Sequence, residues 1–312
     1  TVYATHLDEQ SALLAEQWEQ AGQRDKAVTY LQRAGEHACA QYLHVEALRY
    51  INQALALTPA TNQEKICQLL LERERVHSIQ GDRAAQEKDL ALLQEVVPAW
   101  VGEPRQVLIV RAEIAIRLSY YERNRANLPQ AVLYARQAVE LAHQGNAAQQ
   151  KADALLEWGK SLWSKAAFAD AREQWTRALQ TAEAANLPSR LAESLERLAQ
   201  IEMFTGGSAD DIMRYMERAL VNYEQEGNLI GTCNILNKLG YLPVAQGVGD
   251  YSQARWHYDR ALALSRKIGA RWNEGTILRN LTILAVCEGD YARAEGTLAE
   301  NRQLYEQLGA KD

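Results

Sequence analysis

Apolar side chains in this chain recur at helical spacing. Between positions 153 and 181, Leu155, Trp158, Gly159 and Leu162 fall at i, i+3, i+4 and i+7, one stripe of a helix, while Ala171, Trp175 and Ala178 mark a second. Small residues at Gly159, Ala171 and Ala178 let two backbones approach, and Trp158, Phe168 and Trp175 fill the space beside them. The pattern predicts a helical hairpin. A small or apolar residue in the same frame returns at Ala131, Ala171, Ile212, Ala254 and Ala294, in steps of 40, 41, 42 and 40 residues. A fixed period of this size signals units that cannot bury their apolar faces alone and must stack. No window alternates as a strand would.

Further copies follow. One holds Leu236, Leu239, Gly240, Gly249, Asp250, Tyr251, Ala254, Tyr258 and Ala261; another holds Leu278, Leu281, Ala285, Gly289, Asp290, Tyr291, Ala294 and Leu298, with Thr282 where Gly would suit; a front copy holds Leu14, Ala15, Trp18, Ala27, Leu31 and Ala34. Three units are looser. Residues 104–142 put Ser119 at the Gly position, residues 190–226 put Ile212 at the Ala position, and residues 62–97 place Glu74 and Gln86 where small residues belong, predicting a less tightly packed hairpin. Ala27 and Ala47 are only 20 residues apart, which predicts one unpaired helix over 44–57 ending before Pro59. Gly or Asn in the segments 144–147, 185–188, 226–229 and 267–270 suits helix C-termini and leaves each helix room for about four turns. The expected organisation is one continuous array over 1–312, irregular over 1–100 and regular over 104–312.

The four better copies resemble the tetratricopeptide repeat family, whose pattern is W-x2-L-G-x2-Y followed by Ala, an aromatic and a small residue. The resemblance implies an all-α, right-handed superhelical solenoid of antiparallel helix hairpins. The long period is similar to that of repeats in kinesin light chains and bacterial signal-transduction NTPases. The opening run from Leu13 to Ala38 also resembles the segment that follows the NTPase module in nucleotide-cyclase-linked and maltose-activator-like regulators. It covers only about 30 residues. With Thr rather than Met at position 1, it suggests a piece of a longer protein.

Composition narrows the function. With 47% hydrophobic and 24% charged residues the chain suits a packed rather than a disordered state. A net charge of −6 without any Lys/Arg run argues against nucleic-acid or anionic-membrane binding. No run of 18 apolar residues spans a bilayer, and the first ten residues lack a charged start with an apolar core, so no signal peptide is expected there. Cys39, Cys67, Cys233 and Cys287 are widely spaced, and buried free thiols in a reducing cytoplasm are expected.

Little suggests catalysis. Gly206-Gly207 is followed by Ser208-Ala209-Asp210-Asp211 with no Lys for a phosphate, which predicts an inter-helix turn with Asp210 or Asp211 capping the next helix. The histidines at 6, 37, 44, 77, 143 and 257 form no HExxH motif. A helix break should separate His37 from His44, and His257 between Trp256 and Tyr258 suits packing. No catalytic residue, metal ligand or cofactor is assigned.

The first helix of each hairpin should line the concave side. Taking Gly159, Ala199, Gly240 and Thr282 as close-packing anchors, positions −6, −3, +1 and +4 should project into the groove. These are Asp153, Leu156, Lys160 and Trp163; Glu193, Glu196, Gln200 and Met203; Asn234, Asn237, Tyr241 and Val244; and Thr276, Arg279, Ile283 and Val286. Trp163, Met203 and Tyr241 would supply apolar contacts, and the amides and charges would fix an extended backbone. Trp163 and Tyr241 could equally pack on the next hairpin. Glu193 and Glu196 disfavour an acidic tail and favour a basic or neutral segment. The expected function is a non-catalytic scaffold for a protein or peptide, either a separate partner or a segment of its own parent chain. A sensor arm of a larger signalling enzyme is the alternative. Leu298, Leu304, Tyr305 and Leu308 leave self-association through the last helix open.

Overall fold

Helix follows helix throughout the computed structural model, which describes residues 10–247 and 251–308. Gly249, Asp250 and His6 lie outside these residues. Fifteen α-helices and no strand occur among the described residues. They are α1 Ser11–Gln20, α2 Arg24–Ala40, α3 His44–Leu57, α4 Gln63–Gln80, α5 Arg83–Val96, α6 Pro104–Asn124, α7 Leu128–Gln144 and α8 Ala148–Ser164, then α9 Phe168–Ala184, α10 Pro188–Thr205, α11 Ala209–Gln225, α12 Leu229–Gln246, α13 Ser252–Lys267, α14 Arg271–Cys287 and α15 Tyr291–Gln307.

The period of forty arises from two nearly equal halves. A left-handed residue ends each helix from α7 to α14, at Asn146, Ala166, Asn186, Gly206, Gly227, Gly247, Gly269 and Gly289. Each helix of 16 to 18 residues therefore makes nearly five turns, somewhat more than the four expected. At 144–147 Asn146 makes the reversal with φ 47°, while Gly145 stays right-handed. Gly145 serves a close approach instead, since a Cβ there would meet the Leu108 Cβ at 3.3 Å.

Contacts divide the chain into two compact units, residues 1–165 and 166–312. In the first, α1 packs on α2, α4 on α5 and α6 on α7; α3, expected to be unpaired, instead packs closely on α2 and also touches α4, because Ala47, Ile51 and Ala54 belong to the front core. Ala15, Leu31, Ile51 and Leu69 fill the front core; Leu90, Leu93, Ile114 and Leu118 fill the next. The large residues at the 62–97 hairpin do not loosen it. Glu74 and Gln86 are buried and bonded to each other, Gln86 Nε2 donating to Glu74 Oε1 at 2.6 Å, and Arg117 reaches Glu74 Oε2 at 3.0 Å. Ser119 replaces Gly by donating its hydroxyl to the Ala131 carbonyl at 2.8 Å.

In the second unit α10 pairs with α11, α12 with α13 and α14 with α15. The small-against-aromatic logic holds here. A Cβ on Gly240 would meet the Tyr258 ring at 2.7 Å, and one on Gly275 the Tyr305 ring at 2.9 Å. Thr282 faces Thr297 instead, their hydroxyls 2.9 Å apart. Two expectations are corrected. Ser208, not an aspartate, is the N-cap of α11, and Asp210 and Asp211 sit in its first turn, where their charge favours the positive helix end. Of the four, Cys67 and Cys233 are buried; Cys39 is half-buried and Cys287 exposed, each in the last turn of its helix.

Candidate binding face

α12 and α14, the first helices of successive hairpins in the second unit, touch directly. Polar pairs tie their faces together. Asn273 Nδ2 donates to Asn234 Oδ1 at 2.7 Å and Asn280 Nδ2 to Asn237 Oδ1 at 2.9 Å. From α12 toward α10, Lys238 Nζ donates to Glu196 Oε1. The Tyr223 hydroxyl also donates to Glu196 at 3.3 Å, and burial followed by the charge of Glu196 pushes the Tyr223 pKa up.

Exposed apolar side chains stand on the same helices. Met203, Tyr241, Ile283 and Val286 are 38%, 47%, 46% and 50% exposed, as an accessible strip requires. Asn234 and Arg279 are exposed, and Glu193, Gln200, Asn237, Val244 and Thr276 are half-buried. The acidic centre foreseen from Glu193 and Glu196 is largely neutralised. Lys238 holds Glu196, and Arg197 lies 3.9 Å from Glu193. In the first unit, Asp153, Lys160 and Trp163 of α8 are half-buried, and Lys160 lies 3.9 Å from Glu157, which Arg123 holds at 2.8 Å. Leu156 is 2% exposed and presents no surface, so it is a packing residue rather than a groove contact.

The structure adds Lys238, Asn273 and Asn280 to the face. Lys238 and Asn280 share a signal, each standing two residues before the close-packing anchor, Gly240 or Thr282, and each bonding the residue three before the previous anchor. Asn273, nine residues before Thr282, bonds Asn234, six before Gly240, on a different offset. The stagger between neighbouring first helices sets these positions, and one hairpin's frame does not contain it.

Among the described residues no group of three His, Cys, Asp or Glu is placed to hold a metal. His37 and His44 lie on separate helices, α2 and α3, and His37 pairs with Gln41 at 3.1 Å. His257 packs edge-on against Trp256 at 4.9 Å, and burial and then Arg260 lower its pKa. No described helix is long and apolar enough to cross a membrane.

No protein-family model matches the chain, and no curated protein matches it in sequence. Solved structures match over most of its length. The Rap conjugation gene regulator of plasmid pLS20 in complex with the Phr* peptide is 11% identical with a TM-score of 0.63, covering 94% of this chain and 80% of that one. Aspartyl phosphate phosphatase F from Bacillus subtilis is 11% identical with a TM-score of 0.64, covering 89% and 70%. A signal transduction ATPase with numerous domains and a tetratricopeptide repeat sensor, from Pyrococcus horikoshii, is 13% identical with a TM-score of 0.62 over 91% of this chain and 43% of that one. The fold is a helical repeat of the tetratricopeptide type.

Proposed function

We propose that the chain is a non-catalytic module that binds a protein or peptide segment on the faces of its first helices. The observation that carries this is the pairing of exposed Met203, Tyr241, Ile283 and Val286 with amides at Asn234 and Asn237 on one side of α10, α12 and α14. An extended segment needs this combination, apolar contacts for affinity and amides to fix its backbone. The pairing of Glu196 with Lys238 and of Glu193 with Arg197 makes a neutral segment the better complement. Support comes from the pLS20 regulator, whose same fold holds a peptide. In the first unit, Asp153, Lys160 and Trp163 are the contacts offered. The array is read as continuous over 1–312 and working in the cytoplasm.

Crosslinking capture from cells expressing the full-length protein, with mass spectrometry of the bound segment, tests this. Met203→Ala with Tyr241→Ala should weaken capture about tenfold, the scale of losing apolar hot-spot contacts. Capture indifferent to Trp163→Ala, Met203→Ala and Tyr241→Ala would reject the face. Because a phosphatase shares the fold, hydrolysis of an aspartyl phosphate should also be assayed, and turnover would reject the non-catalytic reading.

A second reading makes the chain the sensor arm of a larger signalling ATPase or nucleotide cyclase. It is favoured by the opening run Leu13 to Ala38 and by the sensor of the Pyrococcus horikoshii ATPase. A phosphate-binding loop encoded upstream in the same reading frame would support it, and a separate upstream gene would end it.

A further inference from the structure

α5 stops at Val96, and Pro98, which has no N–H to extend the ladder, lies in a single 3-10 turn, Val97–Ala99, before Pro104 opens α6. The interruption keeps α5 from packing along α6 as successive helices do elsewhere in the unit. The space left is a cavity of about 180 Å³ between α5, the turn, α6 and α7, walled by Leu93, Val97, Ile114, Leu118, Tyr134 and Leu141. An apolar cavity of about 150 Å³ is enough to admit benzene.

The polar lining is one-sided. Gln94, Gln137 and Arg111 contribute, and no acidic side chain does. α6 carries four arginines six residues apart, and three are engaged: Arg105 with the Gly145 carbonyl at 3.1 Å, Arg117 with Glu74 and Glu113, and Arg123 with Glu157. Arg111 is exposed at the cavity and makes no ion pair or hydrogen bond among the described residues. A guanidinium fork is the group that recognises a carboxylate in two parallel hydrogen bonds.

We propose that this cavity binds a small free monocarboxylic acid with an aromatic or branched hydrocarbon part, the hydrocarbon seated against Leu93, Ile114 and Leu118 and the carboxylate held by Arg111. One ring fills the volume, and one cation balances one carboxylate. The site is bounded by α5 and α7, the second helices of their hairpins, and is independent of the first-helix face proposed above.

Isothermal titration of the full chain with phenylacetate and 4-methylpentanoate tests it, with phenylacetamide as the uncharged match. Both acids should bind saturably at one site, with phenylacetamide about tenfold weaker, the scale of a charge-assisted hydrogen bond at a partly exposed site. Arg111→Gln should weaken the acids about tenfold and leave the amide unchanged, with Arg111→Lys in between. Arg111 is exposed, so these variants keep the fold. Ala115→Leu, which fills the cavity, should abolish binding of all three; should it unfold, the Arg111 series still decides. Failure of both acids to saturate overturns the site. Equal binding of phenylacetamide, or indifference to Arg111→Gln, overturns the carboxylate assignment. A peptide ending in Phe that binds more tightly than phenylacetate overturns the free acid in favour of a chain terminus.

Discussion

Glu74 is 1% exposed on α4, and a buried carboxylate is tolerable only when its oxygens are occupied. Gln86 takes one oxygen and Arg117 the other. The sequence flagged both large residues as misfits but could not show how Glu74 is satisfied, because Arg117 arrives from 43 positions away. Arg117→Met should lower the unfolding free energy by about 2 kcal/mol, below the usual cost of breaking a buried pair because Arg117 is itself 26% exposed. Glu74→Met with Arg117→Met should recover most of that in urea melts. A double variant as unstable as the two single losses added would show no coupling between the two groups and refute the pairing. Glu72, on the same helix, behaves differently. Burial raises its carboxyl from 4.5 to about 7; the Gln32 hydrogen bond opposes this, Glu36 adds to it, and Lys65 and Arg75 oppose it. The folded state thus holds a proton that the unfolded chain releases between pH 4.5 and about 7. Stability from this group is intact below that window and declines as pH rises through it. Glu72→Gln should flatten the decline in urea midpoints measured across the window; identical pH profiles would refute the assignment.

Among elements, the helix ends carry the period and are also where sequence reading was least exact. The hairpin frame identified Gly240 as a close-packing site, and the Tyr258 ring at 2.7 Å from its absent Cβ gives the reason. Which residue reverses the chain was harder to read, since Tyr42, Ala126 and Ala166 adopt φ of 61°, 60° and 58° without being Gly or Asn. Packing on both sides fixes the turn length and forces the left-handed residue wherever the count places it. That strain predicts that Ala126→Gly stabilises the chain by about 0.5–1 kcal/mol, the left-handed cost of an L-residue less the extra entropy of Gly. A urea midpoint that falls would contradict it. Two helical glycines should part company. Gly240→Ala should cost about 1–3 kcal/mol through overpacking, whereas Gly296→Ala in α15, with nothing within 4 Å of the added carbon, should stabilise by roughly 0.5–1 kcal/mol. Thermal melts of the pair decide whether close approach, and not helix propensity, governs these sites.

Across the molecule, the regular repeats were legible because each buries its own hairpin, while the linkages between hairpins were not. In the second unit Arg218 reaches Glu183 at 2.8 Å and Arg260 reaches Glu224 at 2.9 Å, pairs set 35 and 36 residues apart along successive second helices. Such half-exposed pairs contribute about 0–1 kcal/mol each and serve register more than stability. The half-period step at the front gave the helix α3 but not its partner, since α3 packs on α2 rather than standing alone. The last described helix bears on self-association. Leu304 is 4% exposed and Tyr305 stacks edge-on to Trp272 at 5.9 Å, so the apolar residues that suggested an open end point inward. Its outer side carries Glu295, Arg302, Gln303 and Glu306, with Tyr291 and Leu298, 67% and 56% exposed, as the apolar residues among them. Two exposed apolar residues set among charged and polar ones are well short of the contiguous patch that a stable interface requires. The chain is therefore expected to show the mass of one copy in light scattering across a concentration series, unchanged by Leu298→Glu. A mass that doubles with concentration and returns to one copy in Leu298→Glu would make the outer side of α15 an interface between copies.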